Sequence, residues 1–137
     1  MGKVVLITGA SRGIGAAIAQ QMAREGYQVV VNYCRHEEQA FQLANKMNAY
    51  SCPFHLNNVL PIQADVQNRV QVEAMFQKIQ ETFGHGVDIL VNNAGISQQK
   101  LFTDITEADW DTMFGVNVKG IFHCCQCALP YMIHQKS

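Results

Sequence analysis

The sequence predicts an α/β fold: a parallel sheet of about four strands in the order 3-2-1-4, with helices on both faces. Three observations predict it. Short apolar runs alternate with longer segments of helical period, strand then helix, along the whole chain. The first run, Val4-Val5-Leu6-Ile7, is continuous rather than alternating, as in a strand buried on both faces. The third run carries Pro61, which a strand accepts only at an edge or at its start. With short right-handed crossovers, that strand belongs on the outside of the sheet.

Each element follows in order. Val4–Thr8 is the first strand. Ile14–Glu25 is the first helix, with Ile14, Ile18 and Met22 at intervals of four and Gly26 as its C-cap. Gln28–Tyr33, centred on Val29-Val30-Val31, is the second strand. Glu37–Met47 is the second helix, with Ala40, Phe41, Ala44 and Met47 on one stripe. Asn48–Val59, with Pro53 and Asn57-Asn58, reads as a loop. Leu60–Ala64 is the third strand. Asn68 caps the third helix, whose apolar face carries Val72, Phe76, Ile79 and Phe83, and Gly84 and Gly86 end it. Asp88–Val91 is the fourth strand. Thr106 and Asp109 form a capping box that opens a long helix. Its apolar stripe is Trp110, Phe114, Val118, Ile121, Cys125 and Leu129, and Pro130 should kink it near the end.

Composition narrows the function. With 137 residues, 48% of them hydrophobic and 15% charged, the chain has material for one packed domain over residues 1–137. A net charge of −1 gives no basic surface for nucleic acid or anionic lipid. No apolar run approaches the roughly 18 residues of a membrane span or the 7–15 of a secretory core, so a cytoplasmic location is expected. The five cysteines are an odd number, and three of them (Cys124, Cys125 and Cys127) crowd one helix. That is no disulfide framework. Nor do they make a zinc site with His123, because consecutive helical residues point about 100° apart and cannot converge on one ion. They read as small packing residues.

The chemistry concentrates in the first turn. Thr8-Gly9-Ala10-Ser11-Arg12-Gly13-Ile14-Gly15 joins a buried strand to a helix. Gly9 supplies the tight turn, Gly13 lets a pyrophosphate approach the backbone, and Gly15 lets the helix pack close to the sheet. The helix N-terminus offers N–H groups and partial positive charge to phosphate.

With this loop, Asn92-Asn93-Ala94-Gly95 after the fourth strand and Asp65-Val66 after the third, the sequence resembles the short-chain dehydrogenase/reductase family. TGASRGIG and DILVNNAG look most like its 3-oxoacyl-[acyl-carrier-protein] reductase type. The resemblance implies a Rossmann-like doubly wound sheet and a dinucleotide cofactor. It assigns cofactor contacts to Gly9, Ser11, Arg12, Gly13, Ile14, Gly15, Asn32, Arg35, Asp65, Val66, Asn92, Ala94 and Gly95. Asn117, in Gly115-Val-Asn117-Val-Lys-Gly120, matches the asparagine of the family's catalytic tetrad, which holds a water in a proton relay. An asparagine inside a helix can also serve as a structural amide bonded to backbone, and the two roles are compatible.

NADP(H) is expected over NAD(H). The second strand ends Val31-Asn32-Tyr33-Cys34-Arg35, with no acid before Glu37 to hold a free ribose 2′-hydroxyl. Arg12 and Arg35 are the cations for a 2′-phosphate.

The family's remaining machinery is a serine and a tyrosine with lysine four residues later, a tuned phenol acting as acid or base. The residues four positions after Tyr27, Tyr33, Tyr50 and Tyr131 are Val31, Glu37, Phe54 and Gln135. The expectation is therefore a cofactor-binding half, incomplete at its C-terminus and inactive alone, from an oxidoreductase acting on a carbonyl or alcohol. The alternatives are a catalytically inactive nucleotide-binding protein and a partner-binding one. The fourth strand should form an open apolar edge, which favours self-association or low stability, and the resemblance suggests a homo-oligomer. Asn48–Val59 and Gly84-His85-Gly86-Val87 look slightly longer than the family pattern.

Overall fold

The computed structural model describes residues 2–50 and 59–136. Strands β1 (Val4–Ile7), β2 (Gln28–Tyr33), β3 (Val59–Gln63) and β4 (Ile89–Val91) form one sheet in the order β3-β2-β1-β4. All three pairings are parallel: Leu6 stands opposite Val30 and Leu90, and Val31 opposite Pro61. Pro61 thus sits on the edge strand, where its missing N–H costs no ladder bond.

Parallel pairing demands crossovers, and helices supply them: α1 (Gly13–Arg24), α2 (Glu37–Tyr50) and α3 (Arg69–Phe83). Side chains alternate across each strand, so the continuous apolar runs feed two cores. Val5, Ile7, Val29 and Val31 pack with Ala16, Ala19, Ala40 and Met47 of α1 and α2 on one face. Val4, Leu6 and Val30 pack with Val72, Met75, Ile79 and Cys124 on the other. All four residues of β1 are fully buried, each stabilising the sheet by about 1.5–3 kcal/mol.

Several boundaries differ from the sequence reading. Helix α2 runs to Tyr50, past the expected end at Met47, and β3 starts at Val59 and stops at Gln63. The rest of the expected loop, residues 51–58, lies outside the described residues. On α2, Leu43 is buried in place of Phe41, which stays half-exposed against the edge of the Tyr33 ring. On α1, Ile14 is 76% exposed and the buried positions are Gly15, Ala16 and Ala19.

The long helix departs most. It divides into α4 (Glu107–Phe114), a π-helical turn over Gly115–Lys119, and α5 (Gly120–Gln135), which continues through Pro130. The capping box at Thr106 and Asp109 is formed as the sequence predicts. The expected stripe does not face the sheet. Trp110, Phe114, Val118, Ile121 and Leu129 are exposed, and Gly120, His123, Cys124 and Ala128 are buried instead. Two causes combine. A π turn adds a residue and rotates everything after it relative to α4. The contact is also made by small residues, because a Cβ on Gly120 would strike Val66 Cγ2 at 2.6 Å. Close approach through glycine, cysteine and alanine leaves the bulky side chains outside.

Candidate functional site

The carboxyl ends of the strands open into a crevice of about 630 Å³, within the range of small-ligand sites. Its floor is a hydrogen-bonded junction of three strand ends, built as follows.

Thr8 ends β1 and is 2% exposed. Its Oγ1 accepts from the backbone N–H of Asn93 and of Ala94, each at 3.0 Å. Asn93 returns the bond: its Nδ2 donates to the carbonyls of Thr8 (3.1 Å) and Gly9 (3.0 Å). From the other side, Asn32 Oδ1 accepts from Gly9 N–H at 3.1 Å, and Asn32 Nδ2 donates to Ala64 O at 3.2 Å. The asparagines after β4 and at the end of β2 thus tie the glycine loop to both neighbours.

The loop itself is shaped for an anion. Gly9 (φ 62°) lies so close to β4 that a Cβ would stand 2.9 Å from Ala94 Cα. Gly13 (φ 63°) has the opposite surroundings: a Cβ there would meet nothing within 4 Å. The space over Gly13 is open, and the first turn of α1 has no side-chain cap, since Arg12 is extended and makes none. A helix start with free N–H groups and a positive dipole end is an anion site, and the open glycine gives a phosphate access to it. The residues present therefore fit a dinucleotide pyrophosphate.

Among the positions singled out from sequence, Gly9, Ser11, Arg12, Gly13, Asn32, Arg35, Asp65, Val66, Ala94 and Gly95 line this crevice. Four are placed otherwise. Gly15 lies beneath the loop, where a Cβ would meet the Asn93 amide nitrogen and Ala10 Cα. Ile14 points to solvent at the helix start. Asn92 turns away, its Nδ2 3.4 Å from Cys125 Sγ. Asn117, in the π turn, accepts from Ile96 N–H at 2.8 Å and donates to Ile96 O at 2.9 Å. Its amide holds the backbone after β4, which is the structural role the sequence left open. Asn32 reaches the crevice wall with its amide engaged on both sides, so its contribution is to hold the loop.

Asn93 lines the crevice as well, and so do Tyr33, Cys34, His36 and Gln67, which sequence reasoning missed. Asn93 was in view as one of a pair. Of the two adjacent asparagines only Asn93 enters the crevice, while Asn92 turns to Cys125.

The charges are distributed unevenly. Arg12, Arg35 and His36 all border the crevice. Of the acids nearby, Asp65 Oδ1 accepts from Gln67 N–H at 3.0 Å, and Glu37 lies beside Tyr33. Burial first, then Glu37, pushes the Tyr33 phenol up. The Cys34 thiol is raised by burial first and by Asp65, against the pull of Arg35. Tyr131 stands outside this crevice, beside His85 and Gly86. Among the described residues no group of His, Cys, Asp or Glu could hold a metal ion, and no helix is long and apolar enough to cross a membrane.

The family model for short chain dehydrogenases matches residues 3–137. The chain belongs to that family. Among curated short-chain dehydrogenases it is 42% identical, over all 137 residues, to a 3-oxoacyl-[acyl-carrier-protein] reductase of Staphylococcus aureus, of which it covers 53%. The corresponding reductase of Staphylococcus epidermidis is 40% identical over the same 137 residues, with 54% of its length covered. An uncharacterised oxidoreductase of Staphylococcus epidermidis is 37% identical over 98% of this chain and 54% of its own. Among solved structures, a doubly substituted short-chain dehydrogenase/reductase of Serratia marcescens superposes with a TM-score of 0.86 at 33% identity, over 96% of this chain and 51% of that one. The chain spans about half the length of the curated relatives it matches. The Rossmann-like sheet order is the family's, as the sequence predicts.

Proposed function

We propose that this chain is the NADP(H)-binding portion of a short-chain dehydrogenase/reductase that reduces a carbonyl or oxidises the corresponding alcohol. One observation carries the reading. The uncapped start of α1, the open space over Gly13, and Arg12 and Arg35 all border one crevice. The first two suit a pyrophosphate, and two guanidinium groups suit a further phosphate, for which their planar fork makes paired, charge-assisted bonds. A nicotinamide, when bound, supplies hydride. The residues of this chain bind and orient: Thr8, Asn32 and Asn93 fix the glycine loop, and Asn117 fixes the segment at Ile96. Proton transfer needs a tyrosine with lysine four residues on, and none of the four tyrosines here has one. A second reading for the chain is a catalytically inactive nucleotide-binding or partner-binding protein.

The names of the Staphylococcus relatives make a 3-oxoacyl thioester of a carrier protein the first carbonyl to assay in a longer form. A homo-oligomer is the expected assembly. Helix α5 contains no Asp, Glu, Lys or Arg, and Ile121, Phe122, Leu129 and Ile133 are exposed on it. A cytoplasmic location fits a nicotinamide enzyme of this composition. The test is the affinity of the chain for NADPH and NADH, read by nicotinamide fluorescence. NADPH should bind at least about tenfold tighter, the size of one good charge-assisted contact. Equal affinities would overturn the NADP(H) reading.

A further inference from the structure

Among the described residues, the buried polar side chains are those of Thr8, Asn32 and His123. The first two hold the floor of the crevice. His123, on α5 and 3% exposed, has no part in that floor. A buried imidazole costs desolvation free energy that an apolar side chain does not, so the bond it makes has to offset that cost.

His123 Nδ1 lies 2.7 Å from the carbonyl oxygen of Val66, 57 residues away in the chain. A carbonyl only accepts, so Nδ1 carries the proton and donates. Val66 follows β3 and borders the crevice. Helix α5 stands directly behind it: a Cβ on Gly120, three residues before His123, would be 2.6 Å from Val66 Cγ2. The neighbouring peptide groups are pinned in turn. Asn32 Nδ2 donates to Ala64 O at 3.2 Å, Gln71 Oε1 accepts from Asp65 N–H at 2.8 Å, and Asp65 Oδ1 accepts from Gln67 N–H at 3.0 Å. Ala64, Asp65, Val66 and Gln67 all line the crevice, and His123 ties this wall to α5. Thr8, Asn32 and His123 thus share one arrangement: each is buried, and each bonds the backbone of a segment that lines the crevice.

Resting on the dinucleotide reading above, we propose that His123 is a positioning residue for the nucleotide pocket. Buried behind Val66, it acts through the wall and not on the ligand. Its Nδ1–H holds the Val66 carbonyl, so the wall after β3 is set before the ligand arrives. The cost of ordering that wall is then not subtracted from binding.

The experiment measures NADPH affinity of the full chain by nicotinamide fluorescence in the wild type, His123→Leu, His123→Asn and Ala128→Gly. The temperature is one at which unfolding curves show each protein folded. Leucine fills the space without the donor. Asparagine places an amide N–H near the position of Nδ1 and is the conservative variant. Ala128→Gly weakens α5 at another buried position and controls for lost stability. His123→Leu should bind NADPH about three- to tenfold more weakly, the size of one hydrogen bond. His123→Asn should recover most of that loss. Ala128→Gly should melt lower and keep wild-type affinity. A second readout needs no variant: by NMR, the Nδ1 proton of His123 should exchange with solvent more slowly when NADPH is bound. Wild-type affinity in folded His123→Leu, or an equal loss in Ala128→Gly, would overturn the role of His123 and leave the dinucleotide reading intact. If neither His123 variant folds, an exchange rate that NADPH leaves unchanged would do the same. Binding of neither NADPH nor NADH by the wild type would overturn both.

Discussion

Replacing Thr8 by valine removes one oxygen and keeps the shape of the side chain. That oxygen accepts two backbone N–H groups, from Asn93 and Ala94, both at 3.0 Å, and Thr8 is 2% exposed. Water has little access to replace it. An unsatisfied buried donor costs about 1–3 kcal/mol, so two cost roughly 2–4 kcal/mol after some relaxation of the turn. The swap is isosteric but not neutral, because the hydroxyl is the part in use. Equilibrium urea unfolding of Thr8→Val should show a lower midpoint at unchanged slope. Thr8→Ser keeps the oxygen and should lose only about 1 kcal/mol, the value of one methyl group. Cofactor affinity should fall in the valine variant more than in the serine one, because the glycine loop loses its anchor to β4. A valine variant within about 0.5 kcal/mol of wild type would refute the claim that this oxygen holds the two strand ends together.

Three further outcomes follow from the same geometry. Gly15→Ala should cost about 1–3 kcal/mol by overpacking and weaken dinucleotide binding, because its methyl group meets the Asn93 amide nitrogen and Ala10 Cα; thermal melting and a cofactor titration check both. Asp109 is held down to about 2, first by the hydrogen bond from Lys100 and then by Thr106. A depressed carboxyl contributes stability above its ordinary pKa of 3.8 and loses it as pH falls toward about 2. The start of α4 should therefore loosen over that window, and in Lys100→Met the carboxyl should titrate at higher pH, as read by NMR of the Asp109 side chain. The Cys124 thiol is fully buried and pushed up to about 12, chiefly by burial. It should resist iodoacetamide at pH 8 in the native chain and react only on unfolding, as peptide mass mapping would show.

The parts of the molecule legible in the sequence are those where one residue type answers one backbone demand. Pro61 placed β3 at the edge, Asn68 and the Thr106–Asp109 pair marked helix starts, and the glycine spacing located the anion loop. The crevice wall beyond β2 was harder. Tyr33, Cys34 and His36 enter it because of the turn between β2 and α2, and no periodicity encodes the direction of a turn. Asn92 and Asn93 are chemically identical, and only the course of the backbone just after β4 decides which of them holds Thr8. The long helix misled for a different reason. A stripe drawn at constant helical period assumes an uninterrupted α-helix, and the π turn at Gly115–Lys119 breaks that phase. The face that packs is also the face of small residues, which a search for large apolar side chains passes over.

Thr8 and Asn93 are 85 residues apart in the chain, and the bonds between them close the floor of the crevice. During synthesis at about 5–20 residues per second, the interval between the emergence of the two is on the order of 4–17 s. Strands β1, β2 and β3 can pair within that time, since β2 already borders β1. The nucleotide pocket cannot. Until β4 arrives, the Thr8 hydroxyl has no strand to hold and the glycine loop lacks one of its two anchors. A nascent chain of this protein can therefore pair β1, β2 and β3 before it has ligand affinity, and a dinucleotide can act as a folding ligand only after β4 has been added.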